Sequence, residues 1–292
     1  MRFARAALLC GAGLMLAGCA TTFPELEPRV RSRGPEAPNV DSVTVALWRF
    51  DDAAGGQSTD TGPFRLAGTF GIDTRPDFGR FGQARRFERS TGSFMVVSPS
   101  THLVPRDGFS CEAWVNIDEY GQYELTPIAC CWTEDPNRQS WMFAIGGQRL
   151  EPPRAYIASP GFHNFIAPLG SLGRLIFAFQ PDAAGAPVSY QSAVLVERKR
   201  WVHVAVTLDG ELVRLWIDGL LDSQYATRSH IRSSDAPLLV ANYFDTRRLT
   251  DFTGSLRLDG GDPNPYYAFV GSIDELRISS AARVDFPRPG GR

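Results

Sequence analysis

Residues Trp201 to Tyr225 read WVHVAVTLDGELVRLWIDGLLDSQY, three β-rich runs separated by Asp209-Gly210 and Asp218-Gly219. Asp-Gly supports the positive φ values of a tight hairpin turn, and the two pairs lie nine residues apart. The spacing predicts a meander of three antiparallel strands. Along the first run Val202, Val204, Val206 and Leu208 face one way, while Trp201, His203, Ala205 and Thr207 face the other. Both rows are largely apolar, which places this strand inside a sheet rather than at its edge.

Outward from this meander, short runs of the same kind recur at Ser93–Val97, Phe109–Val115, Trp141–Ile145, Leu175–Phe179, Val188–Val196, Leu238–Ala241 and Phe269–Ile278. The segment from Val43 to Phe50 is apolar on both faces, as a strand between two layers would be. No stretch sustains a period of 3.6 residues. The expected fold is therefore all-β, an antiparallel sandwich or jelly roll of two sheets. The chain has 292 residues, with 28 glycines and 21 prolines, below the ~25–30% Gly plus Pro of low-complexity chains. Its net charge of −2, from 30 basic and 32 acidic residues, gives no bulk attraction to nucleic acid.

The N-terminus carries an address. Arg2 and Arg5 precede the apolar run Ala6 to Gly18, which ends at Cys19. Such a run covers about 20 Å of a bilayer core of ~30 Å, too short to span, so it reads as a secretory signal. Leu16-Ala17-Gly18-Cys19 resembles the lipobox of bacterial lipoproteins. That resemblance implies removal of residues 1–18, acylation of Cys19 by palmitate-like chains, and a membrane-anchored protein. Ala20 rather than Asp after the cysteine implies the outer membrane. Residues 19–41 carry Pro24, Pro28, Pro35 and Pro38 and read as an extended tether. The domain is expected over 42–280, followed by a disordered tail over 281–292.

Several separated segments together resemble the LamG-like jelly rolls of the concanavalin A-like lectin and glucanase superfamily. They are Leu47-Trp48-Arg49-Phe50-Asp51, Asp60-Thr61-Gly62, Gly82 with Ala84 and Phe87, Cys111-Glu112-Ala113-Trp114-Val115, Trp201 to Thr207, Trp216-Ile217-Asp218-Gly219, and Phe269 to Ile278. They occur in the family's order. The departures are two insertions, about Thr133 to Gly173 and about Asp245 to Tyr267, which put any inherited ligand site in doubt.

The resemblance implies a structural calcium where the first and last strands meet, with Asp51, Asp60 and Asp274 at the matching positions. Calcium takes six to eight oxygens, from carboxylates and backbone carbonyls. The alternative is that Asp51 and Asp60 only stabilise turns. Asp274 and Glu275 are consecutive, so they are expected on opposite faces, and an inward Asp274 needs a partner. His203 matches a packed strand histidine of the family, and spacing assigns it no Ser, Cys or Asp partner. His102, His163 and His230 are scattered and form no zinc pattern.

Glucanases of the superfamily use Glu-x-Asp-x-x-Glu, whose i, i+2 carboxylates share one groove. That pattern is missing here, Glu112, Asp118 and Glu119 have the wrong spacing, and Gly-x-Ser-x-Gly does not occur. No catalytic residue is expected. Cys111 and Cys131 flank Tyr120-Gly121-Gln122 symmetrically, as hairpin partners would, so an exported chain is expected to pair Cys111 with Cys131 or Cys130. Buried free thiols are the alternative. The second insertion holds Asp251, Asp259, Asp262, Tyr266 and Tyr267, which suit sugar recognition or form a polar surface loop. The first, with Trp132, Trp141, Tyr156, Phe162 and His163, suits folded strands or a protein contact.

These readings converge on a lipid-anchored, non-catalytic domain that binds glycan or protein at the bacterial cell envelope. A degenerate or unfamiliar glycan-cleaving enzyme, or an envelope structural or assembly protein, are the other readings.

Overall fold

The computed structural model describes residues 36–52, 55–133, 135–150, 167–244 and 267–288. Cys19 and the insertion residues Asp251, Asp259, Asp262 and Tyr266 lie outside them. Among the described residues the strands are β1 (Thr44–Trp48), β2 (Gln57–Ser58), β3 (Gly68–Phe70), β4 (Arg75–Phe78), β5 (Gln83–Phe87), β6 (Met95–Val97), β7 (Phe109–Glu119) and β8 (Leu125–Trp132). They continue as β9 (Gln139–Gly146), β10 (Arg174–Phe179), β11 (Val188–Leu195), β12 (Trp201–Leu208), β13 (Leu212–Ile217), β14 (Leu220–Ala226), β15 (Leu238–Val240) and β16 (Val270–Ser279). Two short 3-10 turns, Thr101–Leu103 and Pro136–Arg138, complete the regular structure.

The strands form two antiparallel sheets. One runs β14-β13-β12-β7-β16-β5-β4, with β1 also paired to β16; the other runs β11-β10-β9-β8-β15-β6-β3-β2. The meander is present as expected: β12 pairs with β13, and β13 with β14. Asp218 and Gly219 both have positive φ, 51° and 70°, so the second turn has the geometry that Asp-Gly favours. β12 is central, flanked by β13 and β7.

The main core lies between the sheets. Val202, Val204, Val206 and Leu208 meet Cys111, Ala113, Val115 and Ile117 of the same sheet and, from the other, Trp141, Phe143, Leu175, Phe177 and Phe179. A second apolar cluster covers the opposite side of the second sheet, where Cys130, Trp132, Met142 and Ile176 pack with Tyr243, Phe244 and Tyr267. That sheet is therefore apolar on both faces, which explains its near-continuous hydrophobic strands.

Four expectations change. β7 and β8 are not a hairpin: they belong to different sheets, so the link between them crosses the sandwich. The expected Cys111 to Cys131 disulfide is absent, and Cys111, Cys130 and Cys131 are buried free thiols. The folded-strand reading of the first insertion, by contrast, holds for its described residues, because β9 sits between β8 and β10. The tail is ordered through its described residues: Phe286 is buried against Trp216, with ring centroids 5.2 Å apart. The tether's last residues are docked too, since Arg49 donates to the Pro38 carbonyl at 2.7 Å and Arg277 to that of Asn39 at 3.0 Å.

Burial pushes the Cys111, Cys130 and Cys131 thiols well above the ordinary range, which removes the reactive thiolate. The three should resist alkylation in the native chain and label fully in guanidinium without prior reduction. Mass spectrometry of the labelled peptides checks this; labelling that appears only after reductant would establish a disulfide.

Candidate functional site

The first and last strands build one end of the sandwich. Asp60, only 1% exposed, organises the loop after β1: its Oδ1 accepts from the Leu47 and Gly62 amides at 2.8 and 2.7 Å, and its Oδ2 from that of Leu66 at 2.7 Å. Gly62 is required there, because a Cβ would stand 2.7 Å from the Val45 carbonyl oxygen and 2.9 Å from Asp60 Oδ1. The indole of Trp48 closes the loop by donating to the Leu66 carbonyl at 2.8 Å. This frame presents Phe64, whose ring stacks on His102 with centroids 3.6 Å apart and planes 12° apart. His102 is held in turn by its short 3-10 turn, which Ser100 caps and whose Leu103 carbonyl accepts from Trp141 Nε1 at 2.9 Å.

Around the Phe64–His102 pair lies a cavity of about 400 Å³, in the range of small-molecule sites (~300–1,000 Å³). Ser42, Thr101, Arg106, Ser233 and Ser280 contribute to its wall, and among the described residues no Asp or Glu lines it. The alternative reading of Asp60 is thus the one its geometry supports. Both oxygens hold backbone amides, and among the described residues no three His, Cys, Asp or Glu side chains gather into a group able to hold a metal. Asp51, Asp60 and Asp274 do not form the expected triad.

Asp51 lies near enough to Asp274 for its charge to act on that carboxyl. A bulge in β16 sets Glu275 and Leu276 against one residue of β7, between the pairs Asp274 with Trp114 and Arg277 with Glu112, and Glu275 takes φ of 51°. The bulge corrects the expected opposition of Asp274 and Glu275: each feels the field of the other acids here, Asp274 that of Glu275 and Asp51, and Glu275 that of Asp51. Asp274 is fully buried; its Oδ2 accepts from the Phe81 amide at 3.0 Å, and its Oδ1 has no hydrogen-bond partner among the described residues. Burial pushes its carboxyl up to about 8, helped by the neighbouring acids. Burial raises Glu275 to about 7, although Arg49 donates to both its oxygens at 3.0 Å. Asp51 Oδ1 accepts from the Gln83 amide at 2.7 Å and lies against Gly82, whose φ is 57°.

His203 is a packed strand residue with no access to solvent. Its Nε2 lies 2.9 Å from Glu112 Oε2, and the rings of Trp114 and Phe286 sit 5.3 and 5.5 Å from it. Glu112 also accepts from Arg277 Nε at 2.8 Å and pairs with Arg277 Nη2 at 2.6 Å. Burial pushes the Glu112 carboxyl up, but His203 and Arg277 together hold it below its ordinary value. Tyr267, expected in a sugar-binding loop, is buried instead, its ring packed edge-on against Tyr123 at 4.8 Å and Tyr243 at 5.6 Å. Sequence reasoning missed the Phe64–His102–Arg106 cavity, because its parts come from segments whose proximity only the closed sandwich creates.

Two stacked antiparallel sheets with a ligand-sized cavity at one end define a lectin-like β-sandwich. The family model described as the concanavalin A-like lectin/glucanases superfamily, of the laminin G type, matches residues 90–285, and the chain belongs to that family. Its fold is similar to the binding domain of Paraclostridial Mosquitocidal Protein 1, with a TM-score of 0.54 and 11% identity over 82% of this chain and 49% of that one. It is also similar to the Botulinum Neurotoxin serotype G binding domain, with a TM-score of 0.53 and 14% identity over 82% and 48%. This chain spans about half the length of those domains. No curated protein matches it in sequence.

Two consequences are measurable. A carboxyl raised to about 8 in the fold and near 4 when unfolded binds its proton more tightly in the native state. In chelator, the stability Asp274 contributes is thus full below about pH 4 and lost as pH climbs toward 8. Asp274→Asn should flatten that fall in urea denaturation at pH 5 and pH 8. Glu112→Ala, which strands the buried Arg277, should cost about 3–5 kcal/mol in the same assay.

Proposed function

We propose that the chain is a non-catalytic binding module for glycan or protein, held at the bacterial cell envelope by acyl chains on Cys19 and presented on the segment ending at residue 41. The observation that carries the reading is the cavity at the end of the sandwich. It combines an aromatic face, hydroxyls and a guanidinium, the groups that recognise a polar ligand, and among the described residues its wall has no carboxylate to serve as acid or nucleophile. The fold family, lectin and glucanase in kind, and the toxin binding domains of similar fold support a binding role by analogy. The lipobox resemblance at Leu16 to Cys19 supports the outer-membrane address.

Calcium belongs to the same proposal. Asp274 has a buried oxygen without a partner, and Asp51 faces it across a loop turned by Gly82, a donor pair that suits a hard cation. Asp51 and Asp274 would hold the ion, with backbone carbonyls and water completing its oxygens. When bound it would supply positive charge to neighbouring acids and tie the first strand to the last.

Purified full-length protein in detergent should be retained on at least one polysaccharide or peptidoglycan of a panel, without releasing new reducing ends. Product release would overturn the non-catalytic reading, and retention on none would remove its glycan half. Calcium should raise Tm, and chelator should reverse the rise. Mass spectrometry should find an acylated Cys19 at the mature N-terminus, and Cys19→Ala should move the protein to the soluble fraction; an unmodified Cys19 overturns the anchor.

A further inference from the structure

The cavity beside Phe64 carries a cation on its wall, Arg106. Arginines nearby are committed: Arg49 to Glu275, Arg277 to Glu112, and Arg283 to Asp41, where Nη2 lies 2.6 Å from Oδ1. Arg106 is exposed and has no hydrogen-bond or ion-pair partner among the described residues. On a chain of net charge −2, a cavity with a free guanidinium and no lining carboxylate among the described residues invites an anion. Asp41, next to the wall residue Ser42, is neutralised by Arg283.

The other groups narrow the class of anion. Phe64 leaves 43% of its surface open although His102 backs the ring, so an apolar face remains for a flat C–H surface. The hydroxyls of Ser42, Thr101 and Ser233 line the wall and make no bond to another described residue. Hydroxyl partners, a stacking face and a fork-shaped donor that matches a carboxylate match the parts of an acidic sugar ring. Resting on the binding-module reading, we infer that this cavity is a subsite for a carboxylate-bearing sugar residue, with its acid group on Arg106 and its C–H face on Phe64. Asp60 is a positioning residue for that site, because its three amide contacts fix the loop that carries Phe64.

The test uses the full-length protein in detergent and calorimetric titration with galacturonate, glucuronate and mannuronate oligosaccharides and sialyllactose, beside their methyl esters. At least one acid form is expected to bind. Esterification, Arg106→Gln and Phe64→Ala should each weaken it at least tenfold, while Arg228→Gln, at an exposed arginine outside the cavity wall, leaves it unchanged. Matching melting curves of the variants establish that each is folded. An acidic glycan bound equally by Arg106→Gln overturns the site but leaves the binding module standing. Retention of neutral glycans alone overturns the acidic class only. Failure to bind any glycan overturns both this subsite and the glycan reading. Inorganic phosphate or a peptide C-terminus bound as tightly, and equally sensitive to Arg106→Gln, would replace the sugar by a simple anion.

Discussion

Glu112 is an ionised carboxylate with no exposed surface, placed on the side of its sheet that faces away from the main core. A charge so placed must be matched on the spot, since leaving it unpaired costs several kcal/mol. His203 and Arg277 match it, and Arg283 Nε lies within 4.0 Å. The two arginines then reach outward, Arg277 to the Asn39 carbonyl and Arg283 to Asp41. One buried charge therefore clasps both ends of the domain over the same sheet, and Phe286 seals it against Trp216.

That clasp positions the site. It brings the start of β1 beside the end of β16, so that Ser42 and Ser280 come to one cavity wall, while the Asp60 loop and the turn carrying His102 supply the others. The rim is stiff because it hangs on buried backbone bonds: three amides on Asp60, and the indoles of Trp48 and Trp141 on the Leu66 and Leu103 carbonyls. A binding face assembled this way keeps its aromatic pair in place before a ligand arrives, which limits the ordering cost of association.

The β16 bulge serves a second purpose. By turning Glu275 into the left-handed region it brings two carboxylates near Asp51 at the junction of first and last strands. Arg49 answers Glu275, while Asp274 Oδ1 has no hydrogen-bond partner among the described residues.

The amino-acid sequence by itself determined the class of fold. Alternation in Val202 to Leu208 and the Asp218-Gly219 turn depend on local geometry, whose period and φ preferences are written residue by residue. Cys130 and Cys131, consecutive on β8, face opposite ways for the same local reason. Partners across the sandwich were decided only by the tertiary structure. β8, with Pro127 and a run of residues buried on both sides, shows no alternation, so its place in the second sheet, opposite β7 rather than paired with it, was not legible. The same holds for Glu275, whose side changes with one bulge, and for Arg106 beside Phe64. Side-chain direction along a strand is a nearest-neighbour property, whereas a cavity between distant segments follows from how whole sheets stack.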